Sequence, residues 1–342
     1  MEPKRAKKKS PRTQNSAFGN QQRNGFVVVL VLCMVMMLSV LLLGFNYKSR
    51  TNLLVVDGVR KTEQALNCAR AGLNIAIAII RDTNDIHTNK TLLDLISGEK
   101  TFAVSDGECS ITITEENSRL NVNLLKDKDG RLDQTRTEQL LRLIDLLNRE
   151  QTDLPHIGYS LVPSIIDWTD SDDQVTCLPF IKHENLGAES SYYSNLQVPY
   201  RCKNDLLDTT EELLLVKGIT QEVFDRIRDY VTVYGDGRIN INSASRQVIE
   251  CLSEKMDAVL AQMIIDRREF KAFDSITELQ DVPGMTDSIF NTIKKTATVG
   301  STEQYYHVIS KGNIDHLSRT TVAILEKDMK TKNVEVVLYK EL

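Results

Sequence analysis

The sequence lacks the short motifs that mark most catalytic and metal–thiolate sites. It has no C-x-x-C pair, which argues against a zinc knuckle or a thiol redox centre. Its five histidines are scattered without an H-x-x-x-H pair, and it has no G-x-S-x-G elbow, P-loop or strand-linked G-x-G-x-x-G. The sequence therefore predicts a protein that is not an enzyme.

Acidic residues outnumber basic residues beyond the N-terminal leader. Residues 1–25 carry seven Lys or Arg against one acid, Glu2, and the whole chain has a net charge of −5, which leaves −11 for the remainder. An acidic body does not suit nucleic acid or an anionic membrane surface, but it suits divalent cations. Binding to nucleic acid is therefore not expected.

A long uncharged run follows this basic leader. Residues 26–45 contain no charged side chain, and as a helix they would span about 30 Å, the hydrocarbon thickness of a bilayer. The run ends without the Ala-x-Ala site of a secretory signal, and its basic flank predicts a cytoplasmic N-terminus. We expect a single-pass anchor, with a plausible cleavage site before it, at Gly25–Phe26.

This leader resembles those of pilin-like precursors, in which basic residues and a Gly precede an aromatic residue that opens a hydrophobic helix. The resemblance implies that a prepilin peptidase of the inner membrane cleaves after Gly25 and methylates Phe26. Most of these proteins have Glu at the fifth mature position, where this chain has Leu30. The resemblance is closest to the minor pseudopilin K family of type II secretion, which normally lacks this Glu. The alternative is a plain membrane anchor.

Beyond the anchor, the hydrophobic pattern predicts a long helix followed by strands at both ends of the chain. Apolar residues recur every three or four positions, so the helix is predicted over residues 26–81. Alternating β-branched residues predict strands at 101–104, 109–114, 119–125, 305–311, 320–326 and 334–339, with Asp106-Gly107 as the first turn.

The predicted fold class is α+β. A pilin-like N-terminal helix packs on an antiparallel sheet. Residues 46–125 contain the rest of this helix and the first strands, and residues 301–342 contain the C-terminal strands that complete the sheet. A large, mainly helical domain is inserted at residues 126–300, and it contains two helix-hairpin-helix-like (SAM-like) repeats. Residues 212–227 and 278–293 share Glu, Leu, Val, Gly, Thr, Phe and Ile at one offset of 66 positions.

The repeats resemble a motif that grips DNA phosphates through a Gly-hydrophobic-Gly turn. Thr220 and Thr286 replace the second Gly of each turn, and the intervening hairpin at residues 252–256 has no Gly. Side chains at these positions hinder close approach of a phosphate, so a structural scaffold is favoured. The alternative is a membrane-anchored protein that binds and takes up nucleic acid.

An acidic loop lies within residues 163–204. Asp167, Asp170, Asp172 and Asp173 fall within seven positions, and such a group suits the hard oxygen coordination of calcium. The spacing is not that of an EF-hand. The alternatives are a solvated acidic turn and, less favoured, an acid/base pair.

The same loop resembles the signature of the pseudopilin K family, D-W-x-D-x-D, G-A-E-x-x-Y-Y and P-Y-R-x-x-N. The resemblance implies a calcium cofactor, with Asp170, Asp172, Asp173 and Glu189 as ligands and Asp167 and Asn204 as ligands or their supports. Ser190 and Ser191 stand where the family often has acids, which implies weaker binding or one occupied site.

Cysteine usage fits an oxidising compartment. Cys177 and Cys202 bracket a polar, irregular loop, so we expect a disulfide between them, which would contribute about 3 kcal/mol. Cys68 and Cys109 form a second candidate pair, and Cys251 is left over.

The function implied by the resemblance is that of a minor pseudopilin at the tip of the type II secretion pseudopilus. There it would help initiate or cap assembly during export of folded proteins. Its implied partners are other minor pseudopilins, the secretion machinery and the prepilin peptidase. Its implied location is the bacterial inner membrane, with the body in the periplasm.

Overall fold

The structure is a computed structural model that describes most of the chain. The described residues are 18–83, 98–104, 107–127, 129–300 and 303–342. The chain divides into two compact units, and the division falls between Glu63 and Gln64. The basic residues of the leader from Lys4 to Arg12 lie outside the described residues, as does Asp106 of the predicted first turn.

The first helix, α1, spans Phe18–Asp82 and begins eight residues before the predicted start. Within Gly25–Asp82 it contains a stretch that is long and apolar enough to cross a membrane. The large apolar side chains from Phe26 to Val59 are all exposed. An apolar surface of this length needs lipid or other helices to cover it.

A five-stranded antiparallel sheet is made from two separate parts of the chain. Its strands, in spatial order, are β1 (Lys100–Val104), β2 (Gly107–Glu115), β7 (Glu303–Ile314), β8 (Leu317–Asp328) and β9 (Val334–Glu341). In the register of β2 and β7, Cys109 lies opposite Gly312 and Glu115 lies opposite Tyr306. The N-terminal helix and the antiparallel sheet of the predicted fold class are confirmed.

The C-terminal part of α1 packs on this sheet through small and branched side chains. The shared core is built from residues that are all buried: Leu73, Ala76, Ile80, Cys109, Ile111, Ile113, Tyr306, Val308, Ala323 and Leu325. Gly312 permits close contact, because a β-carbon there would overlap the backbone of Ala65 and Ala69. Buried Lys327 donates to the carbonyl oxygens of Ile80 and Thr83, where α1 ends.

The predicted third strand at 119–125 is confirmed only for two residues, and it does not join the five-stranded sheet. After β2 the chain leaves the sheet, and only β3 (Leu120–Asn121) is extended, paired in parallel with β4 (Val231–Thr232). A 3₁₀ turn follows at Val122–Leu124. The alternating asparagines bond to loops and not to a neighbouring sheet strand: the Asn123 side chain contacts the backbone of Leu207 and Val233.

Mainly short helices follow, around a second and larger core. They are α2 (Gln134–Glu150), α3 (Leu161–Thr169), α4 (Ser190–Ser194), α5 (Gln221–Ile227), α6 (Arg246–Cys251), α7 (Ala258–Phe270) and α8 (Asp287–Ile293). The division of the chain keeps Gln64–Leu342 in one compact unit, which includes both the sheet and these helices. A separate inserted domain at 126–300 therefore stays a prediction.

The two similar sequence segments have the same local structure. In the first, a 3₁₀ helix (Thr210–Leu215) is followed by α5 and β4, and in the second, Ile276–Asp281 is followed by α8 and β6 (Ala297–Thr298). Thr209 with Glu212, and Ser275 with Glu278, form capping boxes at corresponding positions. Their assignment to the helix-hairpin-helix family stays a prediction.

Candidate metal centre

Helix α3 places a carboxylate inside the helical core. Its residues from Leu161 to Trp168 are all buried, and most of them are apolar. Asp167 is 0% exposed. A buried carboxylate is unfavourable unless it is hydrogen-bonded, paired with a cation or protonated.

Two further acids lie beside Asp167, each directly next to a short helix. Asp170 follows α3 directly, and its N–H donates to the carbonyl oxygen of Ile166 at 3.0 Å. Glu189 precedes α4 and is 2% exposed. The three side chains can offer one oxygen atom each within 4.8 Å of one another.

Gly187 allows the segment before Glu189 to lie against α3. A β-carbon at position 187 would overlap Asp167 Oδ2 and the carbonyl oxygen of Pro163. The Gly187 carbonyl accepts a hydrogen bond from Lys217 Nζ at 3.1 Å, which fixes the segment from the other side. The Gly of the G-A-E sequence therefore has a packing role in forming the cluster.

The carboxylate oxygen atoms of the cluster outnumber the hydrogen-bond and ion-pair donors that contact them. Asp167 Oδ1 accepts from the N–H of Thr176 at 2.8 Å, and Asp170 Oδ2 forms an ion pair with Lys126. Asp167 Oδ2 and both carboxylate oxygens of Glu189 are buried without a hydrogen-bond partner. Since buried polar atoms are nearly always satisfied, these oxygen atoms make the cluster a candidate site for a cation.

The raised pKa values of the buried acids also favour a cation at this cluster. Burial, followed by repulsion from Asp167 and Asp170, raises the pKa of Glu189 to about 8. Burial also raises the pKa of Asp167. Without a cation, this cluster holds a proton that an ordinary carboxyl group would lose well below neutral pH.

Not all predicted ligands join the cluster. Asp172 and Asp173 are exposed, and neither belongs to the group of three acids that lie close together. The Asp172 carboxylate accepts the N–H of Gln174 at 2.8 Å, and its carbonyl accepts from Asn204 Nδ2 at 3.0 Å. Asn204 has a φ of 49°, and its Oδ1 is buried without a partner, so it stays a candidate ligand.

Lys126 is the residue that sequence reasoning missed. It lies 44 positions before Asp170, in the turn between β3 and α2, and no local pattern associates it with the acidic loop. Only the packing of the turn against the end of α3 brings its ammonium group to Asp170. Sequence spacing carries no signal for this pair.

Aromatic side chains of the acidic loop pack against one another beside the acids. The single Trp of the chain, Trp168, packs edge-on against Tyr193 with ring centroids 4.9 Å apart. The ring centroids of Tyr200 and Tyr193 are 5.3 Å apart. The Tyr193 hydroxyl accepts from the N–H of Lys217, and burial raises its pKa. The aromatic residues at the W, Y-Y and P-Y positions of the family signature thus form one packed cluster in the loop.

The donor set fits calcium better than a transition metal. The clustered side chains are carboxylates, joined by one candidate amide oxygen, and no imidazole is among them. Hard oxygen ligands in a flexible loop are typical of calcium sites, whereas zinc and copper favour nitrogen and sulfur.

The expected disulfide is absent from the structure, in which Cys177 and Cys202 are both thiols. Cys177 is exposed and pairs through its backbone with Leu186. Cys202 is buried, and its Sγ contacts the carbonyl oxygen of Asp167 at 3.5 Å. Burial raises the pKa of Cys202 to about 11. The two thiols lie in different surroundings in the structure, and the disulfide between them stays a prediction.

The remaining predicted positions lie on regular elements. Gly25 and Phe26 are both within α1, and Phe26 is 71% exposed. Thr220 and Thr286 accept the N–H groups of Val223 and Ile289, respectively, so they cap α5 and α8. Those hydroxyl groups occupy the amides that a phosphate would otherwise contact.

Three comparisons with known proteins all match proteins of the type II secretion system. Two models of the family described as Type II secretion system (T2SS), protein K match residues 118–236 and 239–300. The type II secretion system protein K of Klebsiella pneumoniae is 23% identical over 278 residues, which are 78% of this chain and 81% of the relative. That of Aeromonas hydrophila is 24% identical over 170 residues, which are 48% of this chain and 47% of the relative.

A solved structure shares the fold. It is the crystal structure of the GspK-GspI-GspJ complex from the enterotoxigenic Escherichia coli type 2 secretion system. The matched chain has a TM-score of 0.65 and 18% sequence identity, over 84% of this chain and 99% of that one. On these matches, the chain belongs to the type II secretion system protein K family, the minor pseudopilin K family that its sequence resembles.

Proposed function

We propose that this chain is a minor pseudopilin that helps initiate or cap the type II secretion pseudopilus. The observation that carries the proposal is the exposed and uncharged apolar surface of α1 from Phe26 to Phe45, in a member of this family. In the inner membrane, lipid covers this surface. In the pseudopilus, helices of other subunits replace the lipid, with the body of the chain in the periplasm.

Processing at Gly25 is the step that would convert the anchored precursor into a subunit. Cleavage between Gly25 and Phe26 removes the basic leader and leaves Phe26 as the new N-terminus. Leu30 then places an apolar side chain where most pilin-like subunits carry Glu. Such a helix has no buried charge that needs the amine of a neighbouring subunit, which suits a terminal position.

Other minor pseudopilins are the proposed partners. The structural neighbour is a chain from a complex named for three such proteins, which supports contacts of the same kind for this chain. The helical region between β2 and β7 is too large to fit inside a bundle of packed helices. We propose that it lies at the tip, where it would block addition of a further subunit.

Calcium would bind at the acidic cluster, held by Asp167, Asp170 and Glu189, with Asn204 as a candidate fourth ligand. The ion supplies positive charge that the unsatisfied oxygen atoms lack, and it joins the end of α3 to the start of α4. This role is structural, and no catalytic group is assigned. Because the ion would bind ligands from two segments at once, it would restrain the loop.

The first test is the mass of the N-terminal peptide after expression with a prepilin peptidase. We expect a peptide that begins at Phe26 and carries one added methyl group. The Gly25→Val variant, which places a branched side chain at the scissile bond, should keep the leader. A wild-type chain that retains Arg23-Asn24-Gly25 would reduce α1 to a plain anchor.

The second test concerns calcium, with the full-length protein in detergent. A chelator should lower the melting temperature by about 5 °C or more, and calcium should restore it, because a ligand that binds only the folded state stabilises it. The Asp167→Asn variant should lose this response. Identical melting curves with and without the chelator would contradict the calcium site.

A further inference from the structure

Lys126 places a positive charge at the acidic cluster, in contact with Asp170. Its Nζ forms an ion pair with Asp170 Oδ2, and the two side chains are 22% and 7% exposed. One ammonium group therefore neutralises part of the charge that a bound cation would otherwise balance.

The backbone holds Lys126 in this position. Leu125 before it is buried, and Lys126 forms an isolated antiparallel bridge with Leu132 across the turn. Within the turn, the N–H of Asp127 donates to the carbonyl oxygen of Arg131 at 2.8 Å. These contacts position the Lys126 backbone beside the end of α3, so only the rotamers of its side chain have to be ordered when the ammonium group contacts Asp170.

The pairing leaves the site only partly satisfied. Three carboxylates lie together against one ammonium group, and Lys126 contacts Asp170 but leaves both Glu189 oxygens and Asp167 Oδ2 without a partner. A divalent cation that uses Asp170 must either displace the ammonium group or bind beside it. In both cases the positive charge of Lys126 opposes binding.

From this arrangement, we infer that Lys126 is a tethered counter-cation that weakens calcium binding and holds the cluster together when calcium is absent. The inference rests on the calcium site proposed above. It identifies Lys126 as a residue that determines affinity without being a ligand. It also predicts a site that responds to changes in calcium concentration, because the cation-free cluster is already partly neutralised.

The test compares calcium binding by full-length wild-type protein and the Lys126→Met variant in detergent. Titration calorimetry gives the affinity for calcium. Terbium luminescence excited through Trp168, the single Trp and the direct neighbour of Asp167, reports binding at this cluster. Calcium should displace the terbium signal in both proteins.

Lys126→Met should bind calcium at least about tenfold more tightly than wild type, since a unit positive charge beside a divalent ion is removed. Its melting temperature in a chelator should fall, so that the stabilisation by calcium increases. Lys126→Gln, which retains a donor for Asp170, should show the same tightening and provides a second variant should Lys126→Met fold poorly.

Two matched controls separate the charge of Lys126 from its packing. Lys126→Arg keeps the charge and should bind calcium within about threefold of wild type. Lys182→Met removes an exposed lysine of the same acidic loop. It should also stay within about threefold of wild type.

The outcomes distinguish the two proposals. If wild type binds calcium and the Lys126→Met and Lys126→Gln variants bind no more tightly, the role of Lys126 is wrong and the calcium site stands. If neither wild type nor either variant binds, the calcium site itself is wrong and this inference fails with it. If only the variants bind, Lys126 prevents binding in the natural chain, which is the strongest form of the inference.

Discussion

Gly187 lies so close to Asp167 that any β-carbon at position 187 would overlap the Asp167 carboxylate. This relationship joins two segments of the acidic loop, because Gly187 leads directly to Glu189 and Asp167 belongs to α3. The close approach brings two buried carboxylates into one cluster with Asp170. It makes a Gly a requirement of the site, although Gly has no ligand atom in its side chain.

Replacing Gly187 by Ala should therefore damage the site. The methyl group would force apart α3 and the segment before α4, at a cost of about 1–3 kcal/mol in the free energy of unfolding. Chemical denaturation and calcium titration would measure both effects. Gly98→Ala is the control, because a β-carbon at position 98 meets open space. Equal stability and equal calcium affinity of the two variants would contradict the packing argument.

The calcium-free protein should become less stable as pH rises from about 5 to 9. Burial and neighbouring carboxylates raise the pKa of Glu189 from 4.5 to about 8, so the folded state keeps a proton that the unfolded chain has already released. The stability contributed by this proton is present at low pH and is lost as pH passes through the folded pKa. The raised pKa of Asp167 acts in the same direction.

Saturating calcium should remove or reverse this dependence, because the ion replaces the proton at the cluster. Melting temperatures measured across that pH range, with calcium and with chelator, provide the test. In the Glu189→Gln variant, the calcium-free curve should be flatter than in wild type. A wild-type curve that rises with pH in chelator would be inconsistent with the protonated cluster.

Lys327 should stabilise the end of α1. It is 1% exposed, and its ammonium group donates to the carbonyl oxygens of Ile80 and Thr83. Lys327→Met would leave the Ile80 carbonyl without this donor and should cost about 1–3 kcal/mol, as for other lost buried hydrogen bonds. Lys330→Met, at an exposed position, should change the free energy of unfolding by less than about 0.5 kcal/mol.

Cysteine alkylation should separate the two thiols of the acidic loop. In the folded protein, exposed Cys177 should react with iodoacetamide, whereas buried Cys202, with its raised pKa, should react only after unfolding. Peptide mapping by mass spectrometry identifies the labelled residue. A peptide in which Cys177 and Cys202 are cross-linked would support the sequence-based prediction against the structure.

The sequence by itself determined the elements whose signals are local. The uncharged run at 26–45 indicated the apolar helix, and alternating side chains indicated the strands at both ends of the chain. The offset of 66 positions indicated that residues 212–227 and 278–293 have the same local structure. The first two signals depend on neighbours within a few positions, so the periodicity of one helix or strand is enough to show them. The third signal is a direct match between two segments of the sequence, which needs no knowledge of how they pack.

The tertiary structure decided which side chains meet. The acidic loop was visible in the sequence, but spacing could not show that Asp167, Asp170 and Glu189 come together while Asp172 and Asp173 face solvent. It could not show the pairing of Lys126 with Asp170 across 44 positions, or the separate surroundings of Cys177 and Cys202. These relationships depend on how α3 is buried and on the contact at Gly187, and packing of distant segments leaves no periodic signal in the chain.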